Sequence, residues 1–205
     1  MRRFLLVIIL SLFLAVSLRA ETTIVVLGDS LSAAYGIPPE KGWVTLLQEH
    51  LEQQGYSHQV INASINGETT AGGLARIDTL LQRHNPELLI LELGGNDGLR
   101  GTSLDTIRSN LESMINRSYN SGAQVLLVGM QIPPSYGARY TREFSAIYQE
   151  LSSIYNTPIV TDWLNEVGQD PTLMQSDGIH PNVKAQPYLL ESIWKELESL
   201  LRADS

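Results

Sequence analysis

Ser30 lies in Gly28-Asp29-Ser30-Leu31-Ser32, directly after an apolar run, where a hydroxyl could act as a nucleophile if a base reaches it. Asp177-Gly178-Ile179-His180-Pro181, near the other end of the chain, offers that base. A carboxylate on one imidazole nitrogen fixes the tautomer while the other nitrogen takes the serine proton. Asp177 and His180 could supply both groups from one short loop. Two more segments offer donors to a developing oxyanion. In 62–70 the backbone N–H of Gly67 has no side chain over it, and in Gly94-Gly95-Asn96-Asp97-Gly98 the Asn96 amide is a second donor. Taken singly, each segment has a plainer reading: Asp and Ser after a strand commonly serve as turn or cap residues, and Asn among glycines usually shapes a turn.

The elements that must position these residues separate the two readings. Aliphatic and β-branched runs at 23–27, 59–62, 88–93, 124–130 and 159–161 predict strands. The segments 43–54, 72–84, 104–120, 139–155 and 183–201 predict helices, most clearly where Leu104, Ile107, Leu111, Met114 and Ile115 recur at three- and four-residue spacing. Strands alternating with helices imply an α/β domain with a parallel sheet, and the unbroken Leu88-Leu89-Ile90-Leu91 suits a sheet covered on both faces. Open sheets of this kind bind ligands beyond the carboxyl ends of their strands. Ser30, Gly67 and Asn96 follow the first three strands at that edge, so an assembled site is a better account than unrelated turns. His50, His58 and His84 have no polar cluster around them in the sequence and read as solvated surface residues.

The 205 residues, 43% hydrophobic, suit one domain with a sizeable core. Arg2 and Arg3 precede an uncharged apolar run over 4–16, short for a permanent membrane span, so residues 1–20 read as a cleaved secretory signal. Ala20 marks its exit, with Ala15 and Ser17 offering an earlier site. A retained anchor is the alternative, disfavoured because a core strand begins almost at once. The expected location is therefore periplasmic or secreted, with no stable membrane anchor after cleavage. The chain has no cysteine, which excludes disulfides, thiolate catalysis and cysteine metal clusters. Without the leader, 11 basic residues face 22 acidic ones, a net charge of −11 that repels nucleic acid and anionic lipid surfaces. No cluster has metal-ligand spacing and no dinucleotide fingerprint follows the first strand, so no cofactor and no metal are expected.

The segments GDSLSAAYG, NASINGETTAGGLARI, LELGGNDGLRG, MQIPPSYGARY and DGIHPN resemble, in order and spacing, the SGNH or GDSL hydrolase superfamily. The likeness covers nearly all of residues 21–205 and is most specific to its small bacterial periplasmic thioesterase, lysophospholipase and arylesterase subgroup. It implies a three-layer, flavodoxin-like fold with a five-stranded parallel sheet. It also implies Ser30 as nucleophile, His180 as base held by Asp177, and an oxyanion hole made of the Ser30 and Gly67 backbone N–H groups and the Asn96 side chain. Asn66 stands where relatives often carry another small residue, which bears on the loop's geometry.

The implied activity is hydrolysis of fatty acyl esters, thioesters or lysophospholipids by a monomer whose only partner is a small-molecule acyl substrate. An acyl tail needs an apolar groove, and Leu99, Ile132, Pro133, Pro134 and Tyr136 on neighbouring loops are the candidates to line it, with Leu99 and Arg100 as a mobile lip. Two rivals stand beside this reading. One is a carbohydrate deacetylase of the same superfamily. The other is a flavodoxin-like binding or receiver module in which Asp29 and Asp97 hold a cation or accept phosphate.

Overall fold

A computed structural model describes residues 22–203, so the expected leader lies outside the described residues. Five parallel strands, β1 (Thr22–Gly28), β2 (His58–Asn62), β3 (Leu88–Glu92), β4 (Gln124–Val128) and β5 (Ile159–Val160), form one sheet in the order β2-β1-β3-β4-β5. The helices are α1 (Trp43–Gln53), α2 (Thr70–His84), α3 (Gly95–Leu99), α4 (Leu104–Asn120), α5 (Ala138–Tyr155), α6 (Asn165–Gln169) and α7 (Gln186–Ala203). Strand order reverses between β1 and β3. Right-handed crossovers then place α1 opposite α2, α4 and α5, and α7 returns to pack on α1. The three-layer α/β architecture and the five-stranded parallel sheet are those expected from the sequence.

The strands form because their side chains have helices above and below them. Ile24 to Leu27 and Leu89 to Leu91 are fully buried, and each such aliphatic side chain contributes about 1.5–3 kcal/mol of burial. The site-bearing helices start at defined places. Thr69 caps α2 by accepting from the Gly72 N–H at 3.2 Å, and Ser103 caps α4 by accepting from Thr106 N–H at 3.2 Å. Within the layer formed by α1 and α7, the Gln186 side chain accepts from Trp43 N–H at 3.0 Å and fixes the start of α7 against the start of α1.

Several expectations need correction. The glycine-rich segment after β3 is not a turn but the short helix α3, opened by Gly94, where both φ +116 and the nearness of the Tyr148 hydroxyl to any Cβ require glycine. The last helix begins at Gln186 after a 3-10 turn over Val183–Ala185, and α6 was not expected at all. His50, His58 and His84 are half-buried rather than solvated: His50 packs edge-on against Trp194 at 4.4 Å, and His58 lies 3.6 Å from Glu87. No helix of the described residues is long and apolar enough to cross a membrane.

Candidate active site

The turn after β1 carries Ser30. Ala33 N–H donates to Asp29 O at 2.9 Å and Tyr35 N–H to Ser30 O at 3.1 Å, which coils the chain back on itself and lifts the serine to the edge of the sheet. The carboxylate of Asp29 accepts from Leu31 N–H at 3.0 Å and locks this turn from inside. Below it, Glu92 at the end of β3 accepts from Asp29 N–H at 3.1 Å and from the Ser32 hydroxyl at 2.6 Å. Gly28 has no room for a side chain because its Cβ would meet that carboxylate and Ser32.

His180 bridges from the far end of the chain. Its Nε2 lies 3.0 Å from Ser30 Oγ and its Nδ1 lies 2.6 Å from Asp177 Oδ2. Asp177 also accepts the backbone N–H of Ile179 at 2.9 Å and of His180 at 3.0 Å through its other oxygen. The His180 N–H, then the imidazole, then the Ile179 N–H hold this carboxyl down at about 2. An ionised Asp177 only accepts hydrogen bonds, so Nδ1 of a neutral His180 carries the ring proton and Nε2 is left to accept from Ser30. The pair is open to water, with the Asp177 side chain 38% exposed and that of His180 18%. Tyr35 covers part of the imidazole, its ring centroid 4.5 Å away and tilted by 42°.

The donors lie at the same edge. Asn96, in the first turn of α3, is half-buried and donates its amide to Asp29 Oδ2 at 2.9 Å, which leaves its second amide hydrogen without a partner among the described residues. Among the described residues the backbone N–H groups of Ser30 and Gly67 donate to no protein acceptor. Gly67 holds φ +74, a left-handed conformation natural to glycine, and its carbonyl accepts from the Arg100 guanidinium at 3.2 Å. The α3 helix is fastened to α2 by Asp97, which accepts from Thr70 N–H at 2.8 Å and from the Thr70 hydroxyl at 2.7 Å. Leu99 and Arg100, expected as a mobile lip, therefore sit at the end of an anchored helix.

The groove candidates are not brought together in the same way. Ile132 is 7% exposed and belongs to the core, packed over Gly98, whereas Pro133, Pro134 and Tyr136 are exposed and Leu99 is half-buried against the core. A cavity of about 360 Å³ between β5, α6 and α7 and one of about 160 Å³ beside β4 and α5 include none of these five residues in their walls. Asp29 and Asp97, the cation ligands of the rival reading, already accept protein donors. Among the described residues no group of three or more His, Asp or Glu side chains is arranged to hold a metal ion.

Residues 26–186 match the GDSL-like Lipase/Acylhydrolase family. The chain belongs to this family. It is 47% identical over 201 residues to the esterase TesA of Pseudomonas aeruginosa, covering 98% of this chain and 100% of that one. It is 39% identical over 186 residues to thioesterase 1/protease 1/lysophospholipase L1 of Escherichia coli K12, covering 91% and 88%. The crystal structure of the psychrotrophic esterase EstA from Pseudoalteromonas sp., inhibited by monoethylphosphonate, superposes with a TM-score of 0.85 at 38% identity, covering 89% of this chain and 100% of that one. Like these GDSL relatives, the chain is an ester hydrolase.

Three residues that shape this GDSL site escaped the sequence reading: Glu92, Thr70 and Tyr35. Glu92 alone left a signal, a lone acid closing a strand that is otherwise aliphatic.

Proposed function

We propose that Ser30 is the nucleophile of this hydrolase, His180 its general base and Asp177 the carboxylate that orients and supports the base. The observation that carries this reading is the unbroken line from Ser30 Oγ through His180 to Asp177, at 3.0 and 2.6 Å. As Ser30 Oγ bonds to the acyl carbon, its proton passes to His180 Nε2, and the carbonyl oxygen takes the negative charge. The free N–H groups of Ser30 and Gly67 and the free amide hydrogen of Asn96 receive that charge. His180 then gives the proton to the leaving alcohol or thiol. A water molecule, deprotonated by the same nitrogen, releases the acid from Ser30 in a second round.

The substrates proposed are fatty acyl esters, thioesters and lysophospholipids, in keeping with the esterase, thioesterase and lysophospholipase names of the relatives. The enzyme acts in the periplasm or outside the cell once residues 1–20 are removed, a reading that rests on the apolar run behind Arg2 and Arg3.

The test is to treat residues 21–205 with a fluorophosphonate and to follow p-nitrophenyl esters of short, medium and long chain beside Ser30→Ala. Labelling at Ser30 with loss of activity in the variant is expected. Folded protein that resists the reagent, or a variant that keeps its activity, would overturn the assignment.

A further inference from the structure

The proposed nucleophile and base stand 150 positions apart on loops from opposite ends of the chain, yet their hydrogen bond holds at 3.0 Å. The base loop is closed within itself. Gln175 N–H donates to His180 O at 2.7 Å, Gly178 N–H to Gln175 O at 3.0 Å, and a bridge joins Met174 to Pro181. None of these contacts ties the loop to the serine. Gln175 does. Its side-chain amide donates to Pro181 O at 3.0 Å within the base loop and to Tyr35 O at 2.8 Å on the nucleophile turn. Two carbonyls facing one nitrogen fix which way the amide points, because a reversed amide would set oxygen against oxygen.

Both ends of this bridge are shaped to receive it. Gly36 runs past Gln175 Oε1 so closely that a Cβ there would run into it, and it holds φ +74. The carbonyl that Gln175 grips belongs to Tyr35, whose N–H closes the Ser30 turn at 3.1 Å and whose ring packs on His180 at 4.5 Å. One amide thus joins Tyr35, which closes the nucleophile turn, to Pro181, the residue next to His180, linking the two loops directly. The two loops meet near the surface: Ser30 and His180 are half-buried and the Asp177 side chain is 38% exposed.

We infer that Gln175 is a positioning residue for the reaction: a strut that holds the base loop at hydrogen-bonding distance from the nucleophile. This rests on the assignment of Ser30 and His180 made above. It acts through other residues and touches no substrate, so its loss leaves substrate binding intact and slows every step in which a proton moves between Ser30 and His180. A displacement of about 1 Å in such a pair lowers rate by as much as about 10²-fold.

The decisive variant is Gln175→Met, which keeps length and bulk but has no donor, read beside wild type and Ser30→Ala. Expected are a fall of about ten- to a hundredfold in kcat and in the rate constant for fluorophosphonate inactivation, with KM and the far-UV spectrum unchanged. Gly36→Ala, which presses on the other side of the same amide, is expected to lower the same two constants and decides the matter if Gln175→Met does not fold. A lower Tm with both rate constants within twofold of wild type would make Gln175 a structural residue and overturn the inference. Wild type that the reagent does not label would instead overturn the assignment of Ser30, so the two failures are told apart.

Discussion

Asn96 hangs from a buried carboxylate: its amide donates to Asp29 Oδ2 at 2.9 Å, and Asp29 is only 2% exposed. Burial lifts this carboxyl from 3.8 to about 6, against the pull of Leu31 N–H and of Asn96 itself. The residue next to the proposed nucleophile is thus held in a place that disfavours its charge, and that charge orients a proposed oxyanion donor.

The energetic consequence is testable with Asp29→Asn. A carboxyl raised in the folded state contributes fully below its unfolded value of 3.8, and that contribution is lost as pH rises through about 6. The difference is worth on the order of 3 kcal/mol at neutral pH. The variant cannot ionise, so its stability should change less than that of wild type between about pH 4 and about pH 7, followed by thermal melts. Its activity should fall, because the new NH₂ must face either Leu31 N–H or the Asn96 amide, donor against donor. A pH dependence of melting equal to that of wild type would remove Asp29 from this role.

Glu92 lies beneath Asp29 and is fully buried. Burial, and then the Asp29 charge, push its carboxyl well above the usual range, which disfavours its ionised form. Glu92→Gln keeps the oxygen that accepts from Asp29 N–H and Ser32, and should change stability in urea by less than about 1 kcal/mol. Glu92→Ala opens a cavity and strands both donors, at a cost of about 2–4 kcal/mol. Equal losses in the two variants would show that Glu92 is ionised.

Asp177 behaves in the opposite sense. Held at about 2, it is ionised throughout the working range, and what it contributes is present above its usual 3.8 and lost as pH falls through about 2. The acid limb of a kcat/KM profile should therefore show no step from this residue above about pH 3. Asp177→Asn should lower kcat by about 10³–10⁴-fold, the scale of the same change in serine-protease triads. A variant within tenfold of wild type would leave His180 without need of this partner.

Ile132 separates packing from specificity. Because it is buried over Gly98, Ile132→Ala should destabilise by about 2–4 kcal/mol and leave the chain-length profile on p-nitrophenyl esters unchanged. Tyr136, 43% exposed, should behave the other way if it meets the acyl chain. A shifted profile in Ile132→Ala would return it to the groove.

What could be read from the sequence followed from local rules. Most of the strands read as short aliphatic or β-branched runs; Ser30, Gly67 and Asn96 follow the first three at one edge of the sheet, and Asp177 and His180 share one short loop, so the sequence offers all five as candidates. The rest depends on partners far along the chain. The α3 helix is glycine-rich and has poor intrinsic propensity; it forms because Thr70, 27 residues earlier, captures both oxygens of Asp97. Gln175 meets Tyr35 across 140 residues, and no periodicity announces such a pair. His50 was misplaced for the same reason: the aromatic face that half-buries it belongs to Trp194 in α7. The apolar loop residues were ambiguous because a side chain that lines a groove and one that closes a core carry the same hydrophobicity.

The self-contained base loop has a consequence for heat. Asp177 and His180 keep each other through bonds made within three residues, whereas their meeting with Ser30 depends on a few contacts across an exposed gap. Warming should part the loops before it melts the sheet. Activity would then disappear reversibly at a temperature below the unfolding transition, and the limit on working temperature would lie in the hinge between two loops rather than in the hydrophobic core.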